Sequence, residues 1–413
     1  MKTAFTDLPD GLLEKIAEHL VPTTPDYRTN PCYQQARRPL IYDFCRVSRK
    51  FYKIGRPLLY RRFVNDNDPQ ALSQFISALI REPALSSHLR TLIIGEYLGP
   101  INTDKECDYD PGFRDRLAKR VHELDLFSER ERDLWIKSLE SEEYEAQVAF
   151  LMAISPSLET VDIAYGNFSF GRAYISWIVR LISWSIQHDP QDGQLNALPS
   201  LRRFMVRESP NSVYMGDYRF WEVTMLPFLR TAELHHLTET RMGLPYWLEK
   251  ISGIEKFVVR PRASHNVQLL KSSMRLCKEL KSATIIWDPV EDRDRPLDIE
   301  GVVNGLRLHK SCLRSLSLEC FIEPESLPDP LPLPSLRDFG KLRNVRISGA
   351  YLEANFKDGQ GQSAPDFPPS LESLTIESFG KDTLRWQNYV SALLENENLP
   401  CLRHAKVVLS PTA

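Results

Sequence analysis

Leu313-Arg314-Ser315-Leu316-Ser317-Leu318 carries apolar residues at its first, fourth and sixth positions. The last two anchors have the period-2 spacing of a strand with one buried face. The same frame recurs at Leu89/Leu92/Ile94, Leu158/Val161/Ile163, Leu201/Phe204/Val206, Leu229/Ala232/Leu234, Ile254/Phe257/Val259, Leu280/Ala283/Ile285, Leu342/Val345/Ile347, Leu371/Leu374/Ile376 and Leu402/Ala405/Val407. From the second copy onward, subtracting successive first positions gives spacings of 43, 28, 25, 26, 33, 29, 29 and 31. Such a near-constant period makes each copy one structural unit, which cannot bury its apolar face alone and has to stack on its neighbours.

Between the strands lie stretches with helical spacing, such as Val267/Leu270/Met274, Ile299/Val302/Val303/Leu306 and Trp386/Val390/Leu393. Ser264 and Asp382 stand where N-caps belong. One strand and one helix per 25 to 33 residues resembles the leucine-rich repeat. The resemblance implies an α/β solenoid with parallel strands on the concave face and helices on the convex face. The ninth position departs from that pattern: it holds Gly166, Ser209, Leu237, Arg262, Asp288, Phe321 and Ala350 instead of Asn or Cys. No ladder of side-chain amides can form, so the solenoid is expected to be irregular. A doubly wound sheet has the same local grammar. Against it stand the number of evenly spaced units and the lack of a Gly-rich phosphate turn.

Three polar loops interrupt the period, at Asp288 to Pro296, Pro324 to Pro334 and Asn355 to Pro369, and read as solvated excursions. A larger insertion at about residues 100 to 150 has Leu117, Val121 and Leu124 on one helical face. Its charge run from Glu140 to Glu145 reads as a solvated face. The solenoid is thus expected over residues 70–413.

Ahead of the repeats, Leu12, Leu13, Ile16 and Leu20 fall on one helical stripe that Asp7 or Pro9 can open. A Pro-, Thr- and Asn-rich loop from Val21 to Pro39 follows. A second helix then reads Ile41, Phe44, Cys45, Val47, Ser48, Phe51, and Arg56-Pro57-Leu58-Leu59-Tyr60-Arg61-Arg62-Phe63 comes next. The spacing predicts a small three-helix unit with more apolar residues than its own core can use. The Leu8-Pro9 opening, the Leu12-Leu13-x-x-Ile16-x-x-x-Leu20 stripe, Val47-Ser48-Arg49-x-Phe51 and Pro57-Leu58-Leu59-Tyr60 together resemble the F-box over residues 5 to 63. F-box motifs dock substrate receptors to the Skp adaptor of cullin-RING ubiquitin ligases. The resemblance departs in two places, the long Val21 to Pro39 insertion and Phe44 at a position where aliphatic residues are commoner. It implies adaptor contacts at Leu8, Pro9, Leu12, Leu13, Ile16, Leu20, Phe44, Val47, Ser48, Phe51, Pro57, Leu58, Leu59 and Tyr60. A cap on the open end of the repeats is the alternative for these helices, and a repeat scaffold outside any ligase is the alternative for the chain.

The chain has 413 residues, 42% apolar and 26% charged, which excludes a mostly disordered or collagen-like protein. Its net charge of −3 gives no global field for nucleic acid or an anionic membrane. Seven cysteines at 32, 45, 107, 277, 312, 320 and 401 form no C-x-x-C pair and read as reduced thiols. The N-terminal residues lack a secretory apolar stretch, and Ala173 to Ile186 is too short to span a bilayer and contains Arg180. The expected location is cytoplasm, nucleus or both. The sequon at Asn167 to Ser169 carries no weight without a secretory context.

The sequence contains no G-x-G-x-x-G, G-x-x-x-x-G-K-[ST], H-E-x-x-H or G-x-S-x-G. His235 and His236 are strand neighbours that point to opposite faces and cannot easily share a metal. A non-catalytic chain without cofactor or metal is expected, which also disfavours a hydrolase on an α/β sheet. In the ligase that the resemblance implies, the recruited RING and conjugating enzyme transfer ubiquitin and this chain holds the substrate. Positions three, five and seven of each copy share the face opposite the anchors. Arg203, Met205, Arg207, Glu233, His235, Lys256, Arg260, Trp287 and Arg346 are the candidate substrate contacts there. Guanidinium forks among them suit an acidic or phosphorylated protein segment.

Overall fold

The computed structural model describes residues 8–21, 40–65, 69–95, 112–165, 176–187, 198–208, 220–237, 252–261, 267–287, 297–320, 333–353, 366–378 and 383–409. Asp7, the 22–39 and 288–296 loops, Ser264, Asp382, most of the other two interrupting loops, the sequon and every ninth-position residue except Leu237 and Ala350 lie outside them. By its contacts the chain divides into two compact units, residues 1–163 with 168–201 and residues 164–167 with 202–413.

The first unit opens with three helices, α1 (Asp10–Leu20), α2 (residues 40–46) and α3 (Arg49–Leu59). Ser48 splits what the spacing joins into one second helix. Its backbone is extended and its Oγ accepts the Phe51 N–H at 3.3 Å, so a new helix starts there. Leu13, Ala17, Ile41, Phe44 and Phe51 form a closed core, with the Phe44 and Phe51 rings 4.6 Å apart. The helices approach so closely that a Cβ on Gly55 would lie 2.5 Å from Cys45 Sγ and 3.1 Å from the Phe44 ring. Only glycine fits there. Lys50 fastens the start of α1 by donating to the Leu8 carbonyl at 2.7 Å and pairing with Asp10 at 3.0 Å.

Next come β1 (Arg62–Asn65), α4 (Pro69–Arg81), β2 (Thr91–Ile94), α5 (Phe113–Leu124), α6 (Glu129–Glu140), α7 (Tyr144–Ile154), β3 (Thr160–Tyr165) and α8 (Trp177–Gln187). From residue 112 onward, where it is described, the insertion is helical as its spacing predicts. β1, β2 and β3 pair in parallel, with Phe63 beside Leu92 and Leu92 beside Val161. β1 is a copy of the repeat that the sequence frame does not catch. Tyr60, Phe63 and Asn65 hold its first, fourth and sixth positions, and the sixth is polar. Asn65 is nonetheless 1% exposed, because its Nδ2 donates to the Tyr144 hydroxyl at 3.2 Å. All of α7 is buried, including Glu145 at 8% exposure, so the acidic run is not solvated throughout.

The second unit holds β4 (Arg203–Glu208), β5 (Thr231–Leu237), β6 (Lys256–Pro261), α9 (Val267–Leu276), β7 (Ser282–Trp287), α10 (Ile299–Leu306), β8 (Ser315–Cys320), β9 (Asn344–Ser348), α11 (Gly349–Glu353), β10 (Ser373–Ser378), α12 (Thr383–Leu394) and β11 (His404–Leu409). Each strand pairs in parallel with the next in chain order. The registers keep corresponding positions of the copies in columns. Met205, Glu233, Val258, Thr284, Ser317, Arg346, Thr375 and Lys406, for example, are successive partners. From β4 to β10 the anchors are no more than 2% exposed, and the helix residues Leu270, Met274, Trp386 and Leu393 are buried as well.

A strand that follows another within the same unit begins in a repeated way. The Arg202 carbonyl accepts the N–H groups of Arg230 and Thr231 at 2.8 and 2.9 Å, and the Arg230 carbonyl accepts those of Glu255 and Lys256 at 2.9 and 3.0 Å. Glu255, Lys281, Arg314, Arg343 and Glu372 repeat this forked bond. Arg61 and Arg90 make it in the first unit. These carbonyls all belong to position two, and every position-two residue from Arg61 to Arg403 is charged. Arg90–Glu159 (2.7 Å), Arg230–Glu255 (3.2 Å), Lys281–Glu255 (2.9 Å) and Arg343–Glu372 (3.3 Å) pair along this column.

Candidate functional site

Two surfaces hold the sequence-derived candidates. On the N-terminal helices, the residues implied as adaptor contacts separate by depth. Leu13, Phe44 and Phe51 are at most 6% exposed and lie inside the module's own core, beneath any docking surface. Two leucines adjacent on a helix point 100° apart, so Leu13 turns inward and Leu12 outward. Ser48 serves as the α3 cap. Leu8, Ile16, Leu20, Leu58 and Leu59 are partly buried against the core, and Pro57 is half-buried in the last turn of α3. Tyr60 stacks on Phe75 of α4 with ring centroids 5.7 Å apart, and Phe75 in turn stacks on Phe63 at 4.2 Å. Tyr60 therefore belongs to the first repeat copy. Pro9, Leu12 and Val47 remain exposed.

Of the ten large apolar side chains exposed among the described residues, five lie on this module: Leu12 (48%), Leu40, Tyr42, Val47 (58%) and Tyr52. Tyr42 and Tyr52 each have a guanidinium over the ring, from Arg46 and Arg56. The sequence frame did not single out Leu40, Tyr42 or Tyr52. Their signal is an apolar residue falling between the core positions of a helix.

The second surface is the strand face opposite the anchors. The alternation of β4 and β6 sends Phe204, Val206, Phe257 and Val259 inward at no more than 2% exposure. Arg203, Met205, Arg207, Lys256, Val258 and Arg260 thus share the other face. Glu233 and His235 of β5 lie between them, His235 Nε2 being 3.1 Å from Glu233 Oε1. Arg203 and Lys256 are exposed, Arg207 and Arg260 half-buried, and Met205 and Glu233 buried.

Two of the candidates do not behave as expected. Trp287 holds position eight, which the pleat turns to the anchor side, and it is fully buried there. It is a core residue, not a contact on this face. Arg346 is bound within its own sheet. Its Nε donates to Glu377 Oε1 at 2.9 Å, its Nη2 also meets Glu377, and Glu319 lies 3.7 Å away. Hydrogen bonding to Glu377 raises the already high pKa of this guanidinium. Ser317 Oγ donates to Glu319 at 2.8 Å. The two carboxylates outweigh the one cation here, so among the described residues of this face cations cluster at β4–β6, with Lys406 standing apart on β11.

No group of three His, Cys, Asp or Glu that could hold a metal ion occurs among the described residues. Burial pushes the Cys277 thiol up to about 12 and raises that of Cys45, which leaves both as unreactive thiols. No helix among the described residues is long and apolar enough to cross a membrane. No protein-family model matches the chain, and no curated protein is significantly similar to it in sequence.

Proposed function

We propose that this chain is the substrate-recognition subunit of an SCF-type ubiquitin ligase. Its N-terminal helices act as an F-box that docks to the Skp adaptor, and its leucine-rich-repeat arm holds a protein substrate. The concentration of exposed apolar side chains on a small helical module with a closed core of its own carries this reading. Such side chains at high exposure are what a partner's apolar groove removes from water, at about 25 cal/mol per Å². The F-box-like order of Leu8-Pro9, the α1 stripe and Val47-Ser48-Arg49-x-Phe51 supports the same partner. On this reading the chain itself catalyses nothing and works in the cytoplasm or nucleus, where the cullin-RING enzymes supply the chemistry.

A second reading, a repeat scaffold with its first helices as a cap, is favoured by one observation. The end of α3 packs on the first repeat copies through Tyr60–Phe75 and the Arg56–Glu82 ion pair. Capture of purified Skp adaptor by the full chain and by Leu12→Asp/Val47→Asp separates the two. Both residues are outside the core, so the variant keeps its fold, and docking is expected to weaken on the order of a hundredfold. Undiminished capture by the folded variant leaves the cap.

A further inference from the structure

The β4–β6 face has a geometry that selects among acidic ligands. Position three of β4 and β6 carries Arg203 and Lys256, and position seven carries Arg207 and Arg260. Arg203, Thr231 and Lys256 are register partners, as are His235 and Arg260. The cations therefore stand at the corners of a rectangle centred on β5. It is about 13 Å long, four strand residues, and about 9.6 Å wide, two strand spacings. Position five, midway along, has no cation. It presents Met205, Glu233 and Val258, and Glu233 is a carboxylate 5% exposed.

We infer that this face binds an extended peptide segment of a partner protein with two carboxylate side chains four residues apart and an uncharged residue midway. The inference rests on the reading of the chain as a receptor and names the substrate class of its arm. A segment lying over β5 places side chains i, i+2 and i+4 toward the sheet, spanning the same 13 Å or so. Each end carboxylate then sits between two cations, about 4.8 Å to either side. The middle residue meets Met205 and Val258, and an acid at that point would be set against apolar side chains with no cation beside it. The cations are spread over four corners and do not converge on one point, which matches separate single charges better than one phosphate dianion.

Fluorescence anisotropy with labelled peptides and the full chain tests this. A peptide containing Glu-Thr-Ala-Thr-Glu is expected to bind at least fivefold more tightly than its Gln counterpart. It should also exceed Glu-Thr-Glu-Thr-Glu, although the latter carries more charge. Arg203→Glu/Lys256→Glu, both on exposed side chains, should lose about tenfold or more while melting like the parent. Lys310→Glu, exposed and away from the face, should bind normally. Tighter binding of the three-acid peptide would reveal only diffuse attraction and overturn the inference. So would equal binding by the double reversal, or binding confined to a phosphoserine version. Adaptor capture, measured on the same proteins, reports separately on the ligase reading: loss of docking with peptide selectivity intact removes that reading and leaves the site.

Discussion

Glu145 shows how far a single side chain can depart from its sequence context. It ends a run of acidic residues, yet it lies buried on α7 and accepts hydrogen bonds from the Ser176 hydroxyl and the Ile178 N–H at the start of α8. Burial pushes its carboxyl up from 4.5 to about 7, and the two hydrogen bonds only partly oppose that. The folded protein therefore holds a proton that the unfolded chain gives up between about pH 4.5 and 7. Stability falls as pH rises through that window and the loss is complete above it. Glu145→Gln keeps an oxygen acceptor without the charge. It is expected to gain on the wild type across the window by up to about 3 kcal/mol, and thermal melts at pH 4, 5.5 and 8 would follow the difference. A gap that stays constant with pH would place the titration elsewhere. The acidic run itself contained no sign of this burial, because what covers Glu145 is α7's packing against other helices.

At the scale of elements, His309 joins parts of the chain that periodicity treats as separate. It sits in the short turn after α10, 3% exposed, with Nε2 2.9 Å from the Met274 carbonyl of α9 and Nδ1 accepting the Leu280 N–H. The ring, with its proton on Nε2, thus ties the end of one helix and the anchor before β7 to the following copy. His309→Ala would leave the buried Leu280 N–H without this acceptor, take one of two donors from the Met274 carbonyl, and open a cavity. A loss of about 2 to 4 kcal/mol is expected in urea unfolding. His309→Gln, which can reach one partner, should lose less. The strands themselves were legible, since ten of them follow from one apolar frame. β1 was not, because Asn65 holds an anchor position and becomes buried through Tyr144, a partner 79 residues away. The apolar residues of the N-terminal helices were legible as a group, but how deeply each is buried was not. Leu12 and Leu13 look equivalent on a stripe, and only the packing of Phe44 and Phe51 decides which of them faces out.

Within the second unit as a whole, each strand is paired only with its neighbours in chain order. Folding of such an array is carried by nearest-neighbour interfaces. Cutting the chain after Asp338 removes β9 to β11 and uncovers Leu316 and Leu318 of β8. Hydrogen exchange in β4–β6 is expected to stay protected while β8 frays. Uniform loss of protection would mean one cooperative core in place of an array of nearest-neighbour units. The candidate binding face was half legible at this scale. Period 2 assigned Arg203, Arg207, Lys256 and Arg260 to it correctly, whereas Trp287 fell one residue past the pattern. The Arg346–Glu377 pairing depends on which strands are adjacent, which the order of copies implies but does not quantify.

The forked bond at each strand start bears on how such a chain tolerates insertions. In a coiled coil, one added residue shifts the phase of everything that follows. Here the position-two carbonyl takes hold of the next copy at its own second and third residues, so whatever length was gained or lost in between is forgotten. Copies whose first positions lie 25 residues apart (Leu229 and Ile254) and 69 apart (Leu89 and Leu158) therefore line up equally well. Segments between strands can grow, shrink or be exchanged without disturbing the columns, whereas a single residue inserted between the first and fourth positions would misalign that copy's anchors with both neighbours.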